Sequence, residues 1–248
     1  HRVDRRQRQM CIRDRYSTKV TKHNFPNTIH LGSVVDVKGS DLPQIDLLIG
    51  GSPCQGFSFA GRQLNFDDPR SKLFFEYVRL LKELKPKYFL LENVKMKQES
   101  MDVITEALGV DPIFINSSLV SAQNRQRLYW TNIPFEMPTD KGILLKDILE
   151  DGFTDREKSY CLDANYFRGG NLKWYFEKHR RQLIFSDPVS TKDWRKLTVT
   201  ECERLQTVPE GYTSMGSDGK KISNTQRYKM LGNGFTVDVI ASILNGIK

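Results

Sequence analysis

The sequence has few cysteines and no long apolar segment. Its 248 residues include four cysteines, Cys11, Cys54, Cys161 and Cys202, with no C-x-x-C pair and no cysteine close enough to a histidine to suggest a zinc site. We therefore predict free thiols in a reducing, cytosol-like compartment, and no metal site. No apolar run approaches the roughly 20 residues that a membrane helix requires, which argues against a membrane protein.

Acidic residues are outnumbered, with 30 Asp and Glu against 38 Lys and Arg and a formal net charge of +8. This balance favours a polyanionic partner. Half of the excess comes from residues 1–15, which contain six arginines and two aspartates. Residues 5–14 resemble a translated transposon adapter of the kind used in sequencing libraries, so we interpret 1–15 as a non-native leader that replaces the natural amino terminus. A basic arm that binds phosphates is the alternative.

Strand-like and helix-like segments alternate along residues 16–134, which predicts an α/β fold with a mostly parallel sheet. Short apolar segments predict four strands, at residues 46–49, 88–91, 113–115 and 127–130. Apolar residues at helical spacing predict two helices, one from Ser71 to Lys85 and one over about 99–108, before Gly109.

The second half of the chain changes character twice. Residues 135–193 mix short apolar runs with loop and basic residues, which predicts a small second lobe, and residues 194–248 return to the first domain. The segment Thr198–Glu201 has the pattern of a capping box and predicts a helix start. Residues 232–234 predict a turn, and 237–247 a closing amphipathic helix.

A thiol and a carboxylate follow neighbouring strands of the predicted sheet. Cys54 follows the first strand and Glu92 the second. Because ligands gather outside the carboxyl ends of parallel strands, both should face one crevice. With Arg125 or Arg127 to orient an anionic or carbonyl group, they form a set suited to covalent catalysis.

Five motifs occur in an order that resembles the DNA cytosine-5 methyltransferase family, over about residues 16–248 except the middle lobe. They are Pro53-Cys54-Gln55, Glu92-Asn93-Val94, Gln123-x-Arg125-x-Arg127, Arg195-Lys196-Leu197-Thr198-x-x-Glu201-x-x-Arg204-Leu205-Gln206 and Gly232-Asn233. The resemblance implies a Rossmann-like methyltransferase sheet whose first strand is missing, with a small irregular target-recognition lobe.

The resemblance also implies a reaction. Cys54 adds to carbon 6 of cytosine, Glu92 holds or protonates ring nitrogen 3, and carbon 5 takes a methyl group from S-adenosylmethionine. Arg127 binds the base carbonyl and steadies Glu92, while Arg125 meets a nearby phosphate. A thiolate is required, because the free thiol is a weak nucleophile.

The implied partner is double-stranded DNA, from which the target cytosine must be flipped out of the stack. Residues 55–70 are then expected to close over the base, and the lobe at 135–193 to read base edges. The candidate nucleic-acid contacts are Gln55 and Ser58 in the loop and Arg168 and Lys173 in the lobe, beside Arg180 and Arg181.

The cofactor region departs from the family pattern. The Gly-rich turn Asp-x-Phe-x-Gly-x-Gly-Gly is not found, and residues 16–26 resemble the region that follows it, so we expect this chain to bind S-adenosylmethionine poorly. Ser33 stands where many relatives carry an aspartate. The candidate cofactor contacts that remain are Ser33, Val34, Pro53, Leu73, Asn233 and Gly234.

Three alternatives stay open. They are a tRNA cytosine-5 methyltransferase, a catalytically inactive DNA-binding subunit, and a thiol hydrolase, which lacks a recognisable histidine base. The absence of an appended reader domain favours a compact prokaryotic or phage-like modification enzyme, expected as a cytoplasmic monomer, for which a cognate restriction enzyme is a candidate partner.

Overall fold

The computed structural model describes residues 9–10, 14–51 and 72–248. They fall into two compact units. Of the described residues, the unit that we call the sheet unit comprises 31–51, 72–116, 126–137 and 242–248, and the one that we call the helical unit comprises 9–10, 14–30, 117–125 and 138–241.

Within the described residues, the strands and α-helices follow the chain in this order. The strands are β1 (Gln9–Met10), β2 (Ile29–His30), β3 (Leu47–Gly51), β4 (Tyr88–Val94), β5 (Ile113–Asn116), β6 (Gln126–Thr131), β7 (Leu183–Phe185) and β8 (Trp194–Lys196). The helices are α1 (Arg15–Asn24), α2 (Lys72–Leu84), α3 (Gln98–Leu108), α4 (Leu145–Ile148), α5 (Leu172–Lys178), α6 (Val199–Leu205), α7 (Asn224–Asn233) and α8 (Val237–Leu244). No helix of the described ranges combines the length and the hydrophobicity that crossing a membrane requires.

The sheet unit is built on four strands in the order β3-β4-β6-β5. All four predicted strands are confirmed, and most of the sheet is parallel in direction, as predicted. β3, β4 and β5 run in the same direction, while β6, which lies between β4 and β5, runs antiparallel to both. The physical reason lies in the link between β5 and β6, because residues 117–125 are too few for the crossover that a parallel pair needs.

Helix α2 packs on this sheet through an apolar face. Phe74, Tyr77 and Val78 are buried there in one hydrophobic cluster with β4 and β6. β3 and α2 lie so close together that a Cβ added to Gly50 would stand 2.5 Å from a ring carbon of Tyr77. A larger residue at position 50 would push the end of β3 away from α2.

The helical unit has little sheet and a second hydrophobic core. Residues of α4, α6 and α7 bury their apolar side chains together, among them Ile148, Leu205 and Leu231. The predicted capping box is confirmed. Thr198 Oγ1 accepts a hydrogen bond from Glu201 N at 3.1 Å, and Glu201 Oε2 accepts one from Thr198 N at 2.8 Å.

The turn predicted at residues 232–234 is wrong for its first two residues. Helix α7 continues through Asn233, and Gly234 forms its carboxyl-terminal cap. Glycine at position 232 serves close packing, since a Cβ there would stand 2.2 Å from the backbone carbon of Asp163. The following helix, α8, lies within the predicted range 237–247.

Part of the segment that we interpret as a leader has ordered contacts in the helical unit. Strand β1 pairs in parallel with β2 through Gln9 and Met10. Asp14 caps α1, because its Oδ1 accepts a hydrogen bond from Ser17 N at 2.7 Å.

Candidate active site

An ion pair on the face of the central sheet joins two of the predicted catalytic residues. Glu92 Oε1 lies 2.8 Å from Arg127 Nε, and both side chains are 13% exposed. In the register of β4 and β6, Glu92 faces Tyr129 and Val94 faces Arg127. Glu92 and Arg127 are therefore diagonal neighbours on one face of the antiparallel pair, within reach of each other's long side chains.

The same register relates Glu92 to the end of β3. Gly51, the last residue of β3, is the parallel partner of Glu92. The carboxylate therefore lies level with the point where β3 ends, three residues before Cys54 in the chain. Four candidate residues lie outside the described residues, namely Pro53, Cys54, Gln55 and Ser58.

Arg125 differs from its predicted role. Its side chain is only 3% exposed, and its guanidinium donates hydrogen bonds to the carbonyl oxygens of Leu162 at 2.9 Å and Gly234 at 2.8 Å. It also approaches Gly232 O at 3.3 Å and Cys161 Sγ at 3.3 Å. The expectation of a phosphate contact is corrected on physical grounds, because a guanidinium buried among backbone carbonyls cannot reach a phosphate without breaking those bonds.

The buried side-chain amides of Gln123 and Gln206 extend the hydrogen-bond network around Arg125, and the sequence alone did not single them out. Gln123 Nε2 donates to Leu205 O at 2.7 Å and to Gln206 Oε1 at 3.1 Å. Gln206 Oε1 also accepts from Thr236 Oγ1 at 3.0 Å. Both residues belong to the family-like motifs listed above, and this membership is the sequence feature that could have identified them. Together these residues join segment 117–125 to the helices of the helical unit.

Two further thiols lie in the described part of the chain. Cys202 is fully buried, and this burial raises the pKa of its thiol well above the usual value, with the charges of Glu201 and Glu203 adding to the rise. A thiol held neutral in this way is a poor nucleophile. Cys161 is half-buried beside Arg125. Neither follows a strand of the sheet unit, so Cys54 remains the candidate nucleophile.

Three candidate cofactor residues belong to the sheet unit. Ser33 precedes a 3₁₀ turn over Val34–Asp36, and its hydroxyl makes no capping hydrogen bond to that turn. Arg79 of α2 holds the turn, because it donates to Val34 O at 3.2 Å and Val37 O at 2.7 Å. Leu73 lies in the first turn of α2 and is half-buried.

The other two described cofactor candidates belong to the helical unit. Asn233 is exposed at the end of α7. The carbonyl oxygen of Gly234 accepts hydrogen bonds from Arg125 Nη2 at 2.8 Å and Gln206 Nε2 at 3.3 Å, which fix the position of this residue. In the described ranges, no group of three or more His, Cys, Asp or Glu side chains has the arrangement of a metal site.

The candidate nucleic-acid residues of the predicted lobe differ in exposure. Arg168 and Lys173 are exposed, and Lys173 lies on α5. Arg180 is exposed and pairs with Asp163 at 3.4 Å. Arg181 is buried, stacks on the Trp174 ring at 5.0 Å and donates to Gly169 O at 2.9 Å. Arg181 therefore stabilises the lobe from inside.

Comparison with known proteins shows the family of the chain. A family model described as C-5 cytosine-specific DNA methylase matches residues 13–133 and 146–248. The chain is 31% identical to the Type II methyltransferase M1.ScrFI of Lactococcus lactis subsp. cremoris, with 93% of this chain and 69% of that protein aligned. It is 36% identical to the orphan methyltransferase M.SPRI of Bacillus phage SPR, with 92% and 54% aligned.

The fold is shared with solved methyltransferase structures. That of the Entamoeba histolytica methyltransferase EhMeth superposes with a TM-score of 0.71 at 15% identity, covering 98% of this chain and 90% of that one. The predicted Rossmann-like methyltransferase fold is thus confirmed, while the chain spans between about half and about two thirds of the two curated relatives. The chain belongs to the C-5 cytosine-specific DNA methylase family.

Proposed function

We propose that this protein transfers a methyl group to carbon 5 of cytosine in double-stranded DNA, with Cys54 as the covalent nucleophile. The observation that carries the proposal is the Glu92–Arg127 ion pair at 2.8 Å, level with the end of the strand that precedes Cys54. A carboxylate steadied by a guanidinium is suited to hold a proton at a ring nitrogen.

The residues act on the base in a defined order. The Cys54 thiolate forms a bond to carbon 6, and the ring electrons collect at nitrogen 3, where Glu92 holds a proton. The electron pair then returns through carbon 5, which becomes the nucleophile. Once carbon 5 carries the methyl group, a base takes the proton from carbon 5, the bond between carbon 6 and sulfur breaks, and the Cys54 thiolate leaves as the aromatic ring is restored. Arg127 orients Glu92 and binds the base carbonyl.

S-adenosylmethionine, when bound, supplies the methyl group. The described candidates fit it in chemical kind, because Ser33 offers a hydroxyl that caps no helix, Val34 and Leu73 offer apolar surface, and Asn233 offers an exposed amide. Pro53 is assigned to the same site from its motif. Since the hydrogen bonds of Arg125 fix the carbonyl of Gly234, we assign Arg125 a positioning role next to Asn233.

The target cytosine lies inside a duplex and must be flipped, at a cost of a few kcal/mol. We assign residues 55–70, including Gln55 and Ser58, to closure over the flipped base. We assign residues 135–193, including Arg168 and Lys173, to target recognition, and residues 16–134 and 194–248 to the catalytic domain.

Substitution of the nucleophile tests the proposal. With S-adenosylmethionine in large excess, to offset the weak binding expected where the Gly-rich turn is not found, we expect Cys54→Ser to abolish transfer of tritiated methyl groups to duplex DNA. The same variant should abolish release of tritium from [5-³H]cytosine in the duplex, because addition at carbon 6 makes carbon 5 exchangeable without methyl transfer. Cys161→Ser, which removes a thiol elsewhere, should retain both signals.

Each failure has a distinct meaning. Methyl transfer by Cys54→Ser at the rate of the unsubstituted protein would refute the assignment of the nucleophile. Transfer to tRNA with none to DNA, measured side by side, would refute the substrate.

A further inference from the structure

Two cations lie against the Phe167 ring of the helical unit, and a third contacts the backbone carbonyl of the same residue. Arg168 Cζ and Lys229 Nζ lie 5.6 and 5.2 Å from the centroid of the Phe167 ring. Lys196 Nζ donates a hydrogen bond to Phe167 O at 3.1 Å. We call Arg168, Lys196 and Lys229 the Phe167 cluster. Its cations come from three separate parts of the chain, a 3₁₀ turn, β8 and α7, and meet only through the fold.

The framework beneath the Phe167 cluster is rigid. Tyr166 is buried, donates to Gln182 O and accepts from Leu197 N at 2.8 Å. Tyr228, next to Lys229 in α7, donates to Leu197 O at 2.8 Å, and its ring lies 4.6 Å from Lys196 Nζ. The three cations are therefore presented from fixed backbone positions, which lowers the entropy lost when they bind a ligand together.

Among the described residues, no ion pair neutralises the charge of the Phe167 cluster. Nearby arginines each pair with a carboxylate, as Arg195 does with Glu201 at 2.8 Å and Arg227 with Glu203 at 3.0 Å. In contrast, no carboxylate of the described residues forms an ion pair with Arg168, Lys196 or Lys229. The Phe167 ring attracts the cations weakly and carries no net charge, so their mutual repulsion remains.

From this arrangement we infer that the Phe167 cluster binds the phosphodiester backbone of duplex DNA, an inference that rests on the proposed function. Three cations held close together, with Arg168 exposed and Lys196 and Lys229 half-buried, match the closely spaced phosphates of a duplex and release the counterions condensed on them. Contacts of this kind set the position of the protein on DNA and carry no base specificity. Arg168 thus acts on phosphate, and Lys196 and Lys229 are added to the DNA-binding residues.

The test is the salt dependence of binding to a fluorescein-labelled duplex of mixed sequence, measured by anisotropy with the full chain between about 50 and 200 mM NaCl. Removing one phosphate contact lowers the slope of log Kd against log salt by about 1. We expect that drop for Arg168→Gln and for Lys229→Gln, about twice that drop for the double variant, and an equal loss of affinity for every duplex sequence. Lys229→Arg should restore the slope.

A matched variant and a folding measurement serve as controls. Lys19→Gln makes the same change in charge at a lysine that lies outside residues 135–193 and already forms an ion pair with Asp218, so its slope should be unchanged. Lys196 also contacts the framework, so the test uses the exposed Arg168 and the half-buried Lys229. Circular dichroism verifies that each variant folds.

The outcomes separate this inference from the function on which it rests. Slopes that stay unchanged in Arg168→Gln and Lys229→Gln, with tight binding by the unsubstituted protein, would overturn the Phe167 cluster alone. A loss of affinity confined to one base sequence would overturn the assignment to the backbone. If the unsubstituted protein binds no duplex DNA at low salt, the inference and the proposed substrate both fail.

Discussion

The two units each contain a carboxylate paired with an arginine, in very different surroundings. Glu203 of the helical unit is fully buried and accepts four hydrogen bonds, from Gly211 N, Thr213 N, Thr213 Oγ1 and Arg227 Nη2. Glu92 of the sheet unit lies on the face of a strand, where solvent still reaches 13% of its side chain.

This difference separates a structural carboxylate from one that is suited to chemistry. Donors occupy both oxygens of Glu203, so it can neither exchange a proton nor bind a ligand without unfolding its surroundings. Glu92 pairs with Arg127 through Oε1 and remains near solvent. We therefore expect the same substitution, Glu to Gln, to affect activity at one position and stability at the other.

The largest effect is expected for Glu92→Gln. Loss of the carboxylate removes the group that holds the proton at ring nitrogen 3, so methyl transfer should fall by about 10²- to 10⁴-fold. The free energy of unfolding should change by about 1 kcal/mol or less, because the amide oxygen still accepts from Arg127. Methyl-transfer kinetics and urea denaturation measure the two quantities.

Glu106→Gln is the matched control, an exposed glutamate of α3 in the same unit, and it should leave both quantities unchanged. Full activity in Glu92→Gln would contradict the chemical role of the sheet carboxylate and remove the contrast between the units.

The next effect in size is expected for Glu203→Gln. An amide nitrogen would face one of the N–H or guanidinium donors that now meet a carboxylate oxygen, and Arg227 would lose its countercharge. Breaking such a buried pair costs about 3 to 5 kcal/mol. Urea denaturation should show this loss, while Glu210→Gln, in the exposed pair with Arg204, should cost about 1 kcal/mol at most. Equal costs at both positions would show that burial does not set the difference.

The smallest effect is expected at the capping box of α6. Thr198→Ala removes the hydroxyl that accepts from Glu201 N and donates to Glu150 Oε2, which should cost about 1 kcal/mol of unfolding free energy. Thr198→Ser keeps the hydroxyl and should cost much less. A thermal unfolding series would measure both variants, and equal losses in the two would assign the effect to the missing methyl group.

The strands of the sheet unit were predictable because their signal is local. Short apolar runs at 47–49 and 88–91 favour extended strands, although Ile49 stays 40% exposed, and Gly109 ends α3 through its own left-handed conformation, with φ of 69°. The direction of β6 was not predictable in this way, since it depends on how residues 117–125 return the chain to the sheet.

The two arginines of the motif Gln-x-Arg-x-Arg show that local sequence patterns are equally limited in predicting the site. Arg127 was predicted to steady Glu92, and the two lie 2.8 Å apart, although the catalytic roles remain a proposal. Arg125, two residues earlier, has the same side-chain chemistry, and its motif predicted a contact with phosphate. Its carbonyl partners come from Leu162 and Gly234, far along the chain, which no local pattern discloses.

By itself, the sequence determined the family, the four strands of the sheet and the order of the motifs, because apolar patterning and motif spacing are written within short stretches of chain. Only the tertiary structure decided that β6 runs antiparallel, that Arg125 is buried, and that Arg168, Lys196 and Lys229 meet at Phe167. Burial and charge compensation depend on neighbours that are distant in sequence, and those neighbours are set by the packing of the whole chain.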